Sequence, residues 1–123
     1  CVEDYLVALR WAEGLGGLAA LRRRADANAG AIAGFVARMA WASHLAKVEA
    51  TRSNTSVCLA VAGAAAVPKA MAKRLAEEGV AFDIASYRDA PPGLRIWCGA
   101  TVETADVEAL LPWLDWAHGE ASQ

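Results

Sequence analysis

Two arginines, Arg88 and Arg95, lie seven residues apart across a proline-rich turn in "YRDAPPGLRIWCG". Arginine is rarely buried without a partner, yet Arg95 falls inside a short apolar run, Leu94 to Gly99, that reads as a strand. Side-chain alternation puts Arg95 and Trp97 on one face and Ile96 and Cys98 on the other. A guanidinium fixed at a strand entrance by Pro91, Pro92 and Gly93 is a rigid planar fork, matched to a carboxylate. Arg88 adds a second cation on the loop side, and the pair predicts an anion site at one sheet edge. The plainer alternatives stand beside it. Arg95 pairs with Asp83 or Glu103, since surface ion pairs are common and weak, and Arg88 is an ordinary exposed arginine.

Other chemistries lack their residues. His44 and His118 lie far apart, with no Cys or His at ligand spacing, so no metal site is expected. "GLGG" at 14–17 precedes a helix but also follows one, which is the wrong context for a phosphate loop. No G-x-S-x-G elbow occurs. Lysines occur only at 47, 69 and 73, and Lys69 and Lys73, four apart on a short amphipathic helix, read as solvated.

The 123 residues are 56% hydrophobic, enough for one domain with a core or a domain plus an arm. The net charge of −2 gives no reason to expect nucleic acid or an anionic membrane as a partner, and "RRR" at 22–24 reads as a solvated helix face. No apolar run is long enough to span a bilayer. Cys1, Cys58 and Cys98 are too few and too scattered for a metal cluster. Cys58 and Cys98 read as buried free thiols, which favours a reducing, cytoplasmic setting. The chain begins at Cys1 and enters helical patterning at once, and it reads as a piece of a longer protein.

These residues need elements to position them. Residues 2–13 predict a helix ended by the glycines. Leu18, Leu21, Ala25, Asn28, Ile32, Phe35 and Met39 then recur at steps of three and four, the seam of a long strut helix with Asn28 as its single polar member. Leu21, Ile32 and Phe35 are expected to be buried. Gly30 and Gly34 share a face where another backbone could approach, either the first helix or a part of the protein outside this chain. The polar stretch 47–56 predicts a boundary. Beyond it "TSVCLAVAG" reads as a buried strand. "AVPKAMAKRLAEEG" reads as a helix with Pro68 in its first turn and Gly79 as its stop. "VAFDIASY" and "LRIWCG" read as strands. A last helix is expected with Thr104 as N-cap and Pro112 as an internal kink. The order α-α-β-α-β-β-α is a small α+β layer domain, divided as 1–50 and 51–123.

Three stretches carry a resemblance to a family. "LRWAEGLGG", "TRSNTSVCL" and above all "YRDAPPGLRIWCGATVETADVEALLPWLDWA" resemble the C-terminal part of the phosphoserine aminotransferases, in the form found in alphaproteobacteria. These are class V aminotransferases of the aspartate-aminotransferase-like α/β fold (fold type I), dependent on pyridoxal phosphate. The resemblance implies amino-group transfer between glutamate/2-oxoglutarate and phosphoserine/3-phosphohydroxypyruvate in serine biosynthesis. In some bacteria it extends to a phosphorylated hydroxythreonine on the way to vitamin B6. It also implies a homodimer with sites at the subunit interface. The family's carboxylate-binding arginine lies in a Gly-(Met/Leu)-Arg motif, which "GLR" places on Arg95. A His-Arg pair contacts the substrate phosphate, and the resemblance carries that role to Arg88. Tyr87 stands in the place of the histidine, and the loop to Arg95 is one residue longer. The cofactor's lysine, the ring-stacking aromatic and the aspartate at the pyridine nitrogen belong upstream, so none of Lys47, Lys69 and Lys73 is that lysine. The chain is then expected to hold half a site: residues 1–50 close the large domain and 51–123 form the small domain. Two other readings stay open: a different pyridoxal-phosphate aminotransferase of the same fold, and a stand-alone α+β dimerisation or binding module in which Arg95 is structural.

Overall fold

A computed structural model describes residues 1–122. Helices α1 (Val2–Gly14) and α2 (Gly17–Val36) form a hairpin. Its turn uses Gly16 and Gly17 at φ of +108° and +68°, values that only glycine adopts freely. No residue of α1 is buried. Along the seam of α2, Ala25, Asn28, Ile32 and Phe35 are buried, Leu21 is half-buried and Leu18 is exposed. The strut is therefore packed along most of its length, with Ala20 also buried, and leaves Leu18 bare at its start. It ends three residues before Met39. Behind its end Trp41 meets Phe35 edge-on and stacks on His118 of the last helix at 4.5 Å.

The expected α+β class holds, but one strand changes place. A three-residue strand, β1 (Ala42–His44), appears where none was anticipated, its short apolar span giving no periodic signal. It pairs antiparallel with β2 (Ser56–Val61), which pairs antiparallel with β3 (Gly93–Trp97). The anticipated strand at 80–87 does not form. Val80 and Ala81 give their amides to Leu75 O, closing the C-terminus of α3 (Val67–Glu77) with Gly79 at φ +70°. Gly79 donates to Ala76 O in the same cap, a Schellman arrangement. Phe82 then points to solvent and Asp83 takes a left-handed φ of 53°, leaving one isolated bridge, Ala85 to Leu94. The order is α-α-β-β-α-β-α.

Period-two alternation divides the sheet. Val57, Leu59, Leu94 and Ile96 face a core shared with Ile32, Phe35, Met71, Leu75, Val107 and Leu114 from the helices. Ser56, Cys58, Arg95 and Trp97 alternate with these on the opposite, open face. Cys58 is thus exposed, contrary to expectation, while Cys98 is fully buried. Gly93 is required where β3 meets β2, because a Cβ there would overlap the carbonyl oxygen of Leu59.

The last helix, α4 (Thr104–Ala121), starts one residue earlier than anticipated: Glu103 is its N-cap, and it runs through Pro112. Thr104 does not cap because its hydroxyl is engaged elsewhere, donating to Asn28 Oδ1 at 2.7 Å. Asn28 Nδ2 donates to Cys98 O, Gly99 O and Val102 O at 3.1, 3.2 and 2.9 Å. Arg24 adds Nε to Ala100 O at 2.8 Å and Nη2 to Glu103 at 2.6 Å. One member of the basic run therefore ties α2 to the turn after β3 rather than lying in solvent. No backbone approaches Gly30 or Gly34 among the described residues.

Candidate functional site

Arg95 sits in the middle of β3, directly across from Cys58 of β2, on the open face. Its amide donates to Ile84 O at 2.7 Å, which lays the 83–87 segment alongside the strand. Its side chain is 19% exposed. Nη2 reaches Asp83 Oδ2 at 3.2 Å and Asp83 O at 3.4 Å. The guanidinium carbon lies 4.5 Å from the centroid of the Tyr87 ring. Nε is buried and has no hydrogen-bond partner among the described residues. Of the two acids weighed as structural partners, Asp83 makes the contact, while Glu103 is taken by Arg24. The Asp83 contact is single and its carboxylate is 90% exposed, the kind of pair that contributes little.

Arg88 is exposed and has no ion pair among the described residues. It lines a cavity of about 450 Å³ with Lys69, Ser86, Pro68 and Pro92. Lys69 also lacks an ion pair there, so two uncompensated cations and a hydroxyl share one cavity. Arg95 lines a separate narrow crevice with Cys58, Leu45 and Pro91, and Tyr87 and Ser86 line both spaces. The structure thus gathers Arg88 and Arg95 around one loop without merging their sites. Lys69 is exposed, as expected from the sequence, but its place beside Arg88 was not anticipated. Its signal was the position next to Pro68, which places it in the first turn of α3 beside the 86–92 loop.

Beside the Arg95 crevice, with which it shares Leu45 and Cys58, another cavity is lined by His44, Arg52 and Ser53. Arg52 Nε is engaged with Ala46 O at 3.2 Å. Burial, and secondarily the Arg52 charge, lower the His44 pKa against a smaller opposing effect of Glu49. Burial raises that of the Cys98 thiol. Neither group adjoins Arg88 in its cavity.

No family model matches the chain. Two curated relatives do, phosphoserine aminotransferases of Methanosarcina mazei and Methanosarcina barkeri, each 48% identical over 116 residues. The match takes in 94% of this chain and 31% of each relative. This chain is homologous to the C-terminal part of phosphoserine aminotransferases. It spans just under a third of the length of those relatives. The phosphoserine aminotransferase of Bacillus circulans subsp. alkalophilus superimposes with a TM-score of 0.78 at 21% identity, over 90% of this chain and 30% of that one. A second phosphoserine aminotransferase structure, determined to follow radiation damage of its Schiff base, gives 0.77 at 18% identity. The hairpin, the three-stranded sheet and the packed helices therefore have the fold of the corresponding piece of a fold-type-I phosphoserine aminotransferase.

Proposed function

We propose that the chain is the substrate-anchoring part of a pyridoxal-phosphate-dependent phosphoserine aminotransferase, cytoplasmic and homodimeric. Its reaction is the exchange of an amino group between glutamate and 3-phosphohydroxypyruvate. Residues 1–50 are the closing helices of the large domain with the connecting helix, and 51–123 the small domain. Arg95 holds the α-carboxylate common to all four substrates, and Arg88 holds the phosphate. The observation that carries the reading is the unpartnered, buried Nε of Arg95 on the open sheet face. A guanidinium with one amino group loosely held by Asp83 keeps donors free for a carboxylate.

The cofactor does not fit the residues of this chain. Lys47, Lys69 and Lys73 are exposed, and Lys73 pairs with Glu77 at 3.6 Å. No catalytic step is assigned to the chain on that account. Its residues bind and orient substrate for a cofactor held elsewhere.

The Asp83 contact supports a second reading, in which Arg95 is only a structural ion pair. The two separate in the full-length protein when the glutamate and phosphoserine half-reactions are followed by single-turnover absorbance of the cofactor. Arg95→Lys keeps the charge and loses the fork. It is expected to weaken both half-reactions by similar factors, about tenfold to a hundredfold. Arg88→Ala is expected to weaken phosphoserine more than glutamate, by about tenfold. No change in Arg95→Lys would leave the structural ion pair as the reading. Equal losses in Arg88→Ala would remove the phosphate assignment and favour a different aminotransferase of this fold.

A further inference from the structure

We propose that Tyr87 is a positioning residue for Arg95, capping the guanidinium so that only its donor edge is offered to a substrate carboxylate. The inference rests on the reading of Arg95 as the carboxylate anchor and adds the residue that makes that anchor rigid.

Arg95 is thinly tethered for a side chain with so much rotamer freedom. Of its five N–H donors only those on Nη2 have a partner, and both contacts, at 3.2 and 3.4 Å, go to one exposed residue. The face of its guanidinium is held differently, against the Tyr87 ring at 4.5 Å. That ring does not serve the core. Tyr87 is 69% exposed, and its hydroxyl has no hydrogen bond among the described residues. What places it is its own loop, where the Ala90 amide donates to Tyr87 O at 3.1 Å ahead of Pro91 and Pro92. A large aromatic kept mostly in water and laid over one cation orients that cation.

The physical effect has two parts. A ring on the guanidinium face excludes water from that face and fixes its plane while leaving the N–H edge open. A fork already in plane loses less freedom when it binds, and its charge-assisted bonds form in a drier setting. Neither part needs the phenol oxygen. Through Arg95, Tyr87 therefore acts on the carboxylate of every substrate alike, although it also lines the Arg88 cavity.

The test uses the full-length protein, with the glutamate and phosphoserine half-reactions measured separately for Tyr87→Phe, Tyr87→Leu and, in parallel, Arg95→Lys. Tyr87→Leu should raise the Kd of both amino acids together, by about threefold to tenfold, with the saturating rate within about twofold. Tyr87→Phe should stay within about twofold of the parent for both, since the ring is retained. A general structural role would not give rescue by phenylalanine together with a shift confined to Kd. Equal damage from Phe and Leu would overturn the proposal by assigning the work to the hydroxyl. A loss confined to phosphoserine would overturn it by making Tyr87 a phosphate contact. An unchanged Tyr87→Leu beside a weakened Arg95→Lys would overturn it while sparing the anchor. An unchanged Arg95→Lys would remove the anchor and this proposal with it.

Discussion

At the residue scale the proposed site turns on how one guanidinium is divided among its neighbours. The Asp83 carboxylate holds Nη2 through one contact, next to a longer one from its backbone oxygen, and lies almost wholly in solvent. A substrate carboxylate meeting the same fork bidentately would displace it, and until then Asp83 both occupies a donor and repels the incoming charge. Removing that charge without changing the shape should help binding. In the full-length protein Asp83→Asn is expected to lower the Kd of glutamate and phosphoserine by about twofold to fivefold, the range of an exposed ion pair. A raised Kd in the same titration would make Asp83 a support of Arg95 and not a competitor. The sequence disclosed Arg95 and named Asp83 among its possible partners, because strand alternation and composition are local facts. It could not disclose Tyr87 over the guanidinium or Lys69 beside Arg88. Those contacts depend on how the 83–92 loop folds back between α3 and β3, and no periodicity encodes a loop path.

At the element scale, α2 shows what a polar seam residue is for. Asn28 is fully buried, and its amide spans three carbonyls of the turn after β3 while its oxygen accepts from Thr104. The turn that ends the Arg95 strand is thereby fixed to the strut, together with the start of α4. Asn28→Ala would leave Cys98 O, Gly99 O and Val102 O without this donor, and the Thr104 hydroxyl without its acceptor. A buried polar group left unsatisfied costs about 1–3 kcal/mol, and the turn can recover part of that by admitting water. A loss of about 2–4 kcal/mol in urea unfolding is expected. A loss under about 0.5 kcal/mol would mean that the turn holds its shape without the strut. The seam spacing made Asn28 visible in the sequence as an exception, but its partners lie seventy residues away. The strand anticipated at 80–87 fails to form for the same kind of reason: its alternation was present, but the backbone donors were spent on closing α3.

At the scale of the whole molecule, the exposed apolar surface has a pattern. Val2, Tyr5, Val7, Leu9, Trp11, Leu15 and Leu18 are exposed along α1 and the start of α2, while Trp97 is exposed on the sheet face that carries Arg95. In the proposed enzyme these surfaces meet the other two thirds of the protein, and the site closes only when they do. The fold class was legible because helix and strand periodicities survive in a piece. The proposed half-site rests on the resemblance alone, since groups outside the chain leave no trace in its own residues. The consequence can be measured on the 123-residue chain itself. Its lysines are surface groups, and surface amines react with pyridoxal phosphate weakly and without preference among themselves. Titration with the cofactor is expected to give an absorbance change that keeps rising with excess reagent, spreads over several lysines by mass spectrometry and does not respond to glutamate. In the specific form of binding, by contrast, one lysine would saturate at one equivalent and the band would bleach when glutamate is added. That second pattern, seen with this chain alone, would show that a complete site resides here and would overturn its assignment as the anchoring half of a larger enzyme.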